Sequence, residues 1–532
     1  MRAAVTSPQP EATEAGFDVL AEGGNAVDAA VAAAFVQTVV DPFMCGIAGF
    51  GSAQILPAGG TAQMVDFHGK APRAVRPDQW ADLIKFQTED GFGFVLEGHV
   101  NELGYQSITT PGTLAALAHM AAAHGTRPLA DLMAPAIAHA REGVLIRPHM
   151  VEYWSEIPRS GRVPHHEHVR HFPATARIYA PEGRLMRVGE RIENPDMART
   201  LERIAAEGPE SFYKGAIAAE IAADMAAHGG QLAAEDLAEV APRLGAPLEG
   251  HYRGLRITTN ALPGGGPVLL LMLGILEHFD LAAMGHNSAD YVATVAEAMK
   301  RATVEKDAKI GDPDFVKVPL DDFIAPEAAA RHAAAIRAGE IAHVPRFGQP
   351  EPPRDTTHLC VADSEGSVVS MTHSIGMPSG VVTEGLGFMY NGCMGVFDPR
   401  PGRPGSLAPG KSRFTAMCPS ILYDATGPMA AIGSPGGTFI TMSVLQGILN
   451  MVDFGMTAAE AVAAPRFCAT SDTLELTNRI LRRTESELRA RGYPTRRLAT
   501  SFGFGGVHAL RRDTGGWRGG ADPGRDGLAL AL

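Results

Sequence analysis

Hydrophobic and polar residues in the segment 355–374, which reads DTTHLCVADSEGSVVSMTHS, form two short β-prone runs separated by a turn. The runs are Thr357–Ala362 and Ser367–Thr372, and each is rich in apolar or β-branched side chains. Between them, Asp363-Ser364-Glu365-Gly366 is typical of a turn, because Asp and Gly accept the backbone conformations that turns require. The pattern therefore predicts a β-hairpin.

The predicted hairpin places Thr356 opposite His373 or Ser374, where facing Cβ atoms lie roughly 4.5–5.5 Å apart. A threonine hydroxyl is a weak nucleophile, but a threonine at the start of a chain can use its own α-amine as the base. That amine has an ordinary pKa of about 7.7–8.0, so part of it is neutral near physiological pH. This chemistry requires cleavage between Asp355 and Thr356. The alternative is a strand threonine without a catalytic role, and the hairpin alone favours that alternative.

A second candidate element is Gly433-Ser-Pro-Gly-Gly437, which joins a predicted strand, Met429–Gly433, to a predicted helix, Thr438–Val452. Adjacent glycines at a helix start can point backbone N–H groups into a cleft, where they stabilise a tetrahedral oxyanion. A tight turn that needs glycine for steric reasons is the alternative. Gly436 and Gly437 are therefore candidate oxyanion-hole residues.

Helical patterns flank these strands. Glu11–Ala21 and Ala26–Val40 are two Ala-rich helical segments, separated by a helix end at Gly24 and an N-cap at Asn25. Strands on both sides of the hairpin, with long helices outside them, predict a layered α/β sandwich rather than a βαβ array. The glycine-rich tail that begins at Arg511 is expected to lie at the surface.

The amino-acid composition argues against several classes of function. The chain has 532 residues, of which 45% are hydrophobic, and its formal net charge of −13 argues against a nucleic-acid partner, which would require a basic face. Its five cysteines are odd in number and include no CxxC pair, so neither a disulfide framework nor structural zinc is expected. The longest apolar run, at 29–40, is too short to span a membrane. The N-terminus shows no signal-peptide pattern, and the expected location is cytoplasmic.

One segment, 165–171, suggests a metal site, because it contains four histidines: His165, His166, His168 and His171. Its arginine and proline neighbours are typical of a solvated loop, and Glu167 is its only other candidate ligand. We therefore expect neither a metal nor a cofactor.

Further segments of interest run through the chain: EAGFDVLAEGGNAVDAAVA (14–32), VVDPFMCGIAGFG (39–51), TPGT (110–113), YRGL (252–255), AEAMKRA (296–302), GDPDFVKVPL (311–320), DTTHLCVAD (355–363), GSPGG (433–437) and EAVAAPRF (460–467). In this order they resemble the γ-glutamyltransferase (γ-glutamyltranspeptidase) family. The resemblance implies a four-layer αββα Ntn-hydrolase sandwich, formed by two chains from one precursor. It also implies autocleavage into a large chain, 1–355, and a small chain, 356–532, which together make one structural unit.

The resemblance assigns roles to the candidate residues. Thr356 matches the nucleophile and supplies its own α-amine as the base. Ser374 stands where the family has a second threonine hydroxyl that supports the nucleophile. Gly436 and Gly437 match the oxyanion hole.

The residues that bind a γ-glutamyl group in the family depart from its pattern here. The DFRE-like segment, whose arginine clamps the α-carboxylate, reads Asp66-Phe67-His68-Gly69, and the serine pair for the same carboxylate reads Thr415-Ala416. The family's N-N-Q-M-D-D segment reads Asn391-Gly-Cys393-Met-Gly-Val396, and its asparagine after the second hydroxyl is Gly376.

These departures predict a changed specificity. Burying an ionised amino-acid head group without paired charges costs several kcal/mol per ion. A pocket built from Gly376, Cys393, Val396, Thr415 and Ala416 is therefore expected to reject glutathione. His68 remains a candidate for binding a substrate carboxylate, with a packing role as the alternative.

Three hypotheses for the function remain open. The favoured one is an amidohydrolase or acyltransferase whose acyl group lacks the free α-amino acid, as in cephalosporin-acylase-like or oxamate-amidohydrolase-like relatives. The second is a true γ-glutamyl hydrolase or transpeptidase for glutathione-type substrates, and the third is an unprocessed, non-catalytic binding protein. The expected partners are a small-molecule amide substrate and the two processed chains as a heterodimer, with a dimer of these heterodimers left open.

Overall fold

The computed structural model describes residues 2–88, 93–158, 161–345, 356–499 and 503–532. Within these ranges, a seven-stranded and a six-stranded antiparallel sheet pack face to face, and helices cover the outer face of each. This arrangement is the predicted four-layer αββα sandwich.

The strands, in chain order, are β1 (Ala4–Ser7), β2 (Phe50–Leu56), β3 (Gln63–Asp66), β4 (Ile84–Gln87), β5 (Phe94–Leu96), β6 (Val144–Leu145), β7 (Arg191–Ile192), β8 (Arg243–Gly245), β9 (Leu248–Tyr252), β10 (Leu255–Thr259), β11 (Thr357–Ala362), β12 (Val368–Ser374), β13 (Ser420–Asp424), β14 (Gly427–Gly433), β15 (Phe467–Cys468), β16 (Leu474–Leu476), β17 (Thr495–Arg497), β18 (His508–Asp513), β19 (Gly516–Gly520) and β20 (Leu528–Ala531).

The α-helices, in chain order, are α1 (Pro10–Ala21), α2 (Ala26–Val40), α3 (Thr113–His124), α4 (Leu129–Glu142), α5 (Pro148–Trp154), α6 (Glu167–Arg170), α7 (Pro173–Tyr179), α8 (Pro195–Glu207), α9 (Glu210–Tyr213), α10 (Ala216–Ala227), α11 (Ala234–Ala238), α12 (Gly266–Leu276), α13 (Leu281–Met284), α14 (Ala289–Lys309), α15 (Leu320–Ile324), α16 (Pro326–Arg337), α17 (Ile440–Val452), α18 (Ala458–Ala463) and α19 (Arg482–Ala490).

The predicted hairpin is confirmed as β11–β12, and it lies at the centre of the first sheet, whose order is β20-β1-β11-β12-β2-β3-β8. Its register pairs Thr357 with His373, which brings Thr356 opposite Ser374. The turn forms around Asp363, whose Oδ1 accepts hydrogen bonds from three successive backbone N–H groups, those of residues 365–367. Local turn chemistry therefore sets the register that places the two hydroxyls side by side.

The second sheet has the order β19-β18-β14-β13-β10-β9. Small and apolar side chains fill the space between the two sheets, among them Cys360 of the first sheet and Ala431, Leu510 and Trp517 of the second. Strand β14 ends at Gly433, where the predicted glycine loop begins. The loop therefore leaves the sandwich from a central strand of the second sheet.

The predicted pair of N-terminal helices is confirmed as α1 and α2, which cover the first sheet. Asn25 caps α2 as predicted, because its side chain accepts from the N–H groups of residues 27 and 28. The prediction for Gly24 was wrong, since the left-handed residue after α1 is Gly23, with a φ of +87°. Position 24 favours glycine for a steric reason instead, because a β-carbon there would lie 2.6 Å from the Val19 side chain.

The expectation that the tail from Arg511 lies at the surface was also wrong. The tail forms the end of β18, all of β19 and β20, and Trp517 within it is completely buried. Its glycines permit close packing rather than flexibility, because a β-carbon at Gly519 would lie 2.5 Å from the Ala529 side chain. A glycine-rich sequence by itself does not distinguish a closely packed strand from a flexible surface segment.

Candidate active site

Thr356 and Ser374 form a buried hydroxyl pair at one end of the central hairpin. Thr356 Oγ1 donates a hydrogen bond of 3.1 Å to Ser374 Oγ. Ser374 Oγ also accepts a hydrogen bond of 2.8 Å from the backbone N–H of Gly376. The second bond orients the serine, so its oxygen is held in place to accept the hydrogen bond from Thr356.

The backbone of Thr356 is strained. Its φ is +100°, a region that β-branched residues rarely occupy. Backbone strain of this kind costs of order 1–3 kcal/mol and persists only where the surrounding structure imposes it. The residue that sequence analysis selected as the nucleophile is therefore held in a high-energy conformation.

A neutral polar network supports the hairpin from the side of α2. Gln37 Nε2 donates to Thr357 Oγ1 at 2.9 Å, and Thr357 Oγ1 donates to Gln9 Oε1 at 3.1 Å. His373 Nε2 lies 2.7 Å from Gln37 Oε1. Burial lowers the pKa of His373 to about 3, so the ring is neutral and donates this hydrogen bond at neutral pH. The groups that contact the two strand ends directly are thus neutral, and Gln9 in turn donates to the Asp41 carboxylate at 2.8 Å.

The glycine loop that follows β14 begins beside the hairpin. A β-carbon at Gly433 would lie 2.1 Å from the ring of His358, which is two residues beyond Thr356. Gly436 and Gly437 have φ values of +128° and +53°, which favour glycine at both positions. They lead through a 3₁₀ turn, Gly437–Phe439, into α17. Among the described residues, no hydrogen bond joins either glycine N–H to Thr356.

A pocket wall lies directly beyond Ser374. A β-carbon added at Gly376 would lie 2.9 Å from Cys393 Sγ, 3.4 Å from the Phe50 ring and 3.7 Å from Arg413 Nη2. The Arg413 guanidinium lies 4.8 Å from the centre of the Phe50 ring, in cation–π contact with it. The structure therefore brings two of the predicted pocket residues, Gly376 and Cys393, next to the hydroxyl pair.

The His68 ring packs beside the same Phe50 ring, with 6.0 Å between the two ring centres. Its Nδ1 forms a close hydrogen bond with Asp66 Oδ1, and its buried Nε2 has no hydrogen-bond partner among the described residues. Burial alone would raise the pKa of Asp66, but the adjacent His68 ring and its hydrogen bonds bring it below the usual value. His68 also lines a cavity of about 250 Å³ together with Lys70 and Thr110.

Among the described residues, no hydrogen bond joins the remaining predicted pocket residues, Val396, Thr415 and Ala416, to the hydroxyl pair. The Thr415 backbone N–H donates to Pro263 O at 3.0 Å, and Ala416 O accepts from Thr441 Oγ1 at 2.8 Å. These bonds join the segment to the N-terminal ends of α12 and α17. Val396 is half-buried at the end of a 3₁₀ turn that begins at Cys393.

Sequence reasoning missed Phe50 and Arg413. Phe50 pairs with Ser374 across β2 and β12, so its position follows from the sheet register. Arg413 is two residues before the Thr415-Ala416 pair that sequence analysis selected, and it is 6% exposed. A buried arginine beside a predicted pocket segment is the signal that identifies it.

The histidine segment does not form a metal centre in the described structure. The His165 ring stacks on Tyr153, and its Nδ1 lies 2.9 Å from the Tyr153 carbonyl oxygen. His168 is buried, which lowers its pKa to about 4. In the described ranges, no group of three or more His, Cys, Asp or Glu side chains is arranged to hold a metal ion.

All five cysteines are buried and reduced, namely Cys45, Cys360, Cys393, Cys418 and Cys468. Burial raises the pKa of the Cys360 and Cys418 thiols, which makes them poor nucleophiles. In the part of the chain that the structure describes, none of the helices combines the length and apolar character needed to cross a bilayer.

Comparisons with known proteins agree with this geometry. The profile of the gamma-glutamyltranspeptidase family matches residues 12–532. The chain is 35% identical to the "Acylase ACY 1 proenzyme" of a Pseudomonas species, over 100% of this chain and 94% of that protein. It is 32% identical to the "Glutathione hydrolase proenzyme" of Escherichia coli, over 87% of this chain and 80% of that protein.

A solved structure is similar along the whole chain. The cephalosporin acylase from Bacillus halodurans superposes with a TM-score of 0.85 and 28% identity, covering 99% of this chain and 95% of that one. The family match spans nearly the full sequence, and the fold, the hairpin and the relatives agree with it. The chain belongs to the γ-glutamyltranspeptidase family and is an Ntn-type amide hydrolase.

Proposed function

We propose that the chain is a proenzyme that cleaves itself between Asp355 and Thr356 and then hydrolyses a small amide through an acyl-enzyme on Thr356. The observation that carries this proposal is the buried hydrogen bond between Thr356 Oγ1 and Ser374 Oγ. Thr356 lies immediately before β11. Asp355 lies outside the described residues. Relatives named as proenzymes, at 32–35% identity, support the same conclusion.

Strain at Thr356 favours the cleavage. A φ of +100° is imposed on Thr356 only while its nitrogen belongs to a peptide bond. Attack of Thr356 Oγ1 on the Asp355 carbonyl, followed by hydrolysis of the resulting ester, frees that nitrogen as an amine. The backbone strain of order 1–3 kcal/mol is then released.

After cleavage, the new α-amine of Thr356 removes the proton from Oγ1, and the oxygen attacks the amide carbonyl of the substrate. The developing oxyanion accepts hydrogen bonds from the Gly436 and Gly437 N–H groups. The amine leaves with the proton from the α-ammonium, and an ester on Thr356 remains. Water then attacks that ester, which releases the acid and restores the threonine.

The two predicted chains are expected to stay together as a heterodimer. In the first sheet, β1, β2, β3 and β8 come from the region before the cleavage site, whereas β11, β12 and β20 come from the region after it. The second sheet likewise combines β9 and β10 with four strands of the later region. Separation would expose both sheets and the apolar space between them.

We further propose that the acyl group lacks the free α-amino acid of a γ-glutamyl group. The pocket beside Ser374 contains Gly376 and Cys393 in place of family residues that bind that head group, and relatives include a cephalosporin acylase. A γ-glutamyl hydrolase is the second candidate, because glutathione hydrolases are almost equally similar in sequence.

Denaturing electrophoresis of wild type and Thr356→Ala tests this proposal. We expect two wild-type fragments, the smaller beginning at Thr356 by mass spectrometry, and one uncleaved 56.1 kDa band for the variant. The variant should hydrolyse no amide. A cleaved, active Thr356→Ala protein, or an uncleaved wild type that is never acylated, would contradict the assignment.

Turnover of a γ-glutamyl anilide separates the two substrate classes. Efficient hydrolysis at sub-millimolar concentration would favour the second candidate. We expect the enzyme to hydrolyse N-acyl anilides that lack an α-ammonium and to hydrolyse the γ-glutamyl anilide only weakly.

A further inference from the structure

His149 lies between two carboxylates from different parts of the chain. Its Nδ1 is 3.1 Å from Asp526 Oδ2, and its Nε2 is 3.5 Å from Asp41 Oδ2. The His149 and Asp41 side chains are almost completely buried, whereas the Asp526 side chain is 45% exposed. Asp41 and His149 precede the proposed cleavage site and Asp526 follows it, so this contact joins the two proposed chains.

The contacts favour a charged histidine between two ionised carboxylates. Burial alone would lower the pKa of His149, but its contacts with Asp41 and Asp526 raise that pKa above its ordinary value. Burial alone would raise the pKa of Asp41, but the hydrogen bond and charge of His149 bring it below its usual value. An imidazolium donates from both ring nitrogens, whereas a neutral imidazole donates from one. Only the charged ring therefore donates to both carboxylates at once.

Other polar groups surround this pair on the neighbouring elements. Arg147, two residues before His149, lies 3.6 Å from the Glu11 carboxylate of α1, and its charge also lowers the pKa of Asp41. Cys45 Sγ is 3.9 Å from the Asp41 carbonyl oxygen, and burial raises the pKa of this thiol, which keeps it neutral. Histidine is the side chain whose ordinary pKa lies closest to neutrality. His149 is therefore the group of this cluster whose charge changes above neutral pH.

The Asp41 carboxylate begins a directional series of hydrogen bonds that ends at both strands of the hairpin. Gln9 Nε2 donates to Asp41 Oδ2 at 2.8 Å, which turns Gln9 Oε1 toward the hairpin. This oxygen accepts from Gln37 Nε2 at 2.7 Å and from Thr357 Oγ1 at 3.1 Å. Gln37 Oε1 then accepts from His373 Nε2 at 2.7 Å.

The direction of this series depends on its first member. A side-chain amide has donors on one atom and acceptor sites on the other, so each amide fixes the orientation of the next. An ionised carboxylate can only accept, and Asp41 therefore sets the direction for both glutamines. Without that fixed acceptor the Gln9 amide could turn over, and the Thr357 hydroxyl would lose its acceptor.

We propose that His149 is a positioning residue for the reaction, and that its imidazolium maintains Asp41 as the fixed acceptor from which the two hairpin ends are oriented. The inference rests on the proposed amide hydrolase function and adds a residue that touches neither substrate nor nucleophile. The series ends at Thr357 and His373, which are the direct chain neighbours of the two residues in the hydroxyl pair. Loss of the charge should therefore disturb the hydroxyl pair and lower kcat more than it raises KM.

The pH dependence of kcat tests this role, measured on an N-acyl anilide from about pH 5 to pH 10. Deprotonation of the α-amine of Thr356 should raise kcat as pH increases, whereas deprotonation of His149 should lower kcat at higher pH. Asp526→Asn removes a carboxylate that raises the pKa of His149, so the descending limb should move to lower pH. Because Asp526 is exposed, this variant should fold. A wild type without a descending limb, or a limb that Asp526→Asn does not move, would contradict the proposal.

Variants of the buried residues assign the descending limb to His149. His149→Gln should remove the limb and lower kcat at neutral pH by about tenfold, as expected for one charge-assisted hydrogen bond, with a smaller change in KM. Asp41→Asn should lower kcat by a similar factor. The double variant should be no worse than either single variant, because both changes act through the same carboxylate.

Glu475→Gln is the matched control for loss of a buried carboxylate. Glu475 pairs with Arg496 at 2.7 Å and lies in the separate three-stranded sheet β15-β16-β17. We expect its kcat and its pH profile to match those of the wild type. Additive losses in the double variant, or an equal loss of kcat in Glu475→Gln, would show that the buried pair has only a structural role.

The outcomes separate this inference from the proposed function. If the wild type cleaves itself and hydrolyses the anilide, but His149→Gln has the same kcat and the same limb, the positioning role is wrong and the proposed function stands. If the wild type remains uncleaved and is never acylated, the proposed function fails, and the positioning role fails with it. If the buried variants do not fold, the Asp526→Asn profile decides the question.

Discussion

The proposed nucleophile region and the proposed acyl pocket of this protein are built in different ways. The hydroxyl pair Thr356–Ser374 lies at facing ends of two adjacent strands, and its geometry follows from one hairpin register. The acyl pocket instead collects Phe50, Gly376 and Arg413 from three separate segments. Substitutions in the separate segments can therefore alter substrate specificity, while backbone pairing keeps the geometry of the hydroxyl pair unchanged.

The two regions also differ in charge. The groups that contact the hairpin ends directly, Gln37, Thr357 and His373, are neutral, and the nearest carboxylate, Asp41, is reached only through Gln9. The pocket contains a buried arginine and an Asp66–His68 pair. Neutral groups hold the reacting atoms at constant geometry, whereas the charged groups are suited to select a ligand.

Gly436→Ala is expected to have the largest effect on the reaction centre. A β-carbon there would lie 2.6 Å from Gly505 Cα, so the loop must move and its N–H groups with it. Loss of one oxyanion donor lowers kcat by about 10²–10³. The control is Gly427→Ala, which has a similar φ of +123° but only an arginine tip at 4.0 Å. Activity of Gly436→Ala equal to the control would argue against the loop as the oxyanion hole.

Ser374→Ala is expected to have the next largest effect. The change removes the hydroxyl that accepts the Thr356 Oγ1 hydrogen bond at 3.1 Å and that can donate to Oγ1 once the α-amine takes its proton. A hydrogen bond to a developing charge contributes about 1.5–3 kcal/mol, so kcat should fall by about 10–10². Ser374→Thr, which keeps the hydroxyl, should stay close to wild type. Steady-state kinetics of the cleaved enzymes check this, and full activity of Ser374→Ala would remove the serine from the mechanism.

Gly376→Asn should alter the pocket and leave the reaction centre largely intact. Asparagine tolerates the φ of +62° at this position, but its side chain would fill the space between Phe50 and Cys393. We therefore expect KM for an N-acyl anilide substrate to rise several-fold with a smaller change in kcat. Gly385→Asn, at a φ of +80° with nothing within 4 Å, is the control. Equal KM values in the two variants would place the acyl chain elsewhere.

Acidification should weaken the scaffold of the reaction centre. Burial lowers the pKa of His373 to about 3 and that of His168 to about 4, against about 6.5 in an unfolded chain. Below pH 6.5 the unfolded state therefore binds more protons, and the free energy of unfolding falls as pH decreases. Each histidine contributes about 1.4 kcal/mol per pH unit over this window. Urea unfolding between pH 7 and 5 measures the slope, and His373→Gln should reduce it.

Much of the reaction centre could be predicted because its signals are local. Turn residues at 363–366 and β-branched runs on both sides predict a register that places Thr356 opposite His373 or Ser374. The structure selects Ser374, because Thr357 pairs with His373. The Gly436-Gly437 pair at a helix start is also a short-range pattern. The position of the glycine-rich tail could not be predicted in the same way, because close packing between β19 and β20 depends on a contact between separate elements.

Local sequence alone was enough to predict the hairpin that brings the two hydroxyls together and the Asn25 cap of α2, since each depends on close neighbours in the chain. The departures from the γ-glutamyl ligands came from the family resemblance. Arg413 and Phe50 are more than 360 positions apart, so their contact required the folded sheet. The geometry of the hydroxyl pair therefore follows from short-range order, whereas the proposed choice of substrate depends on long-range packing.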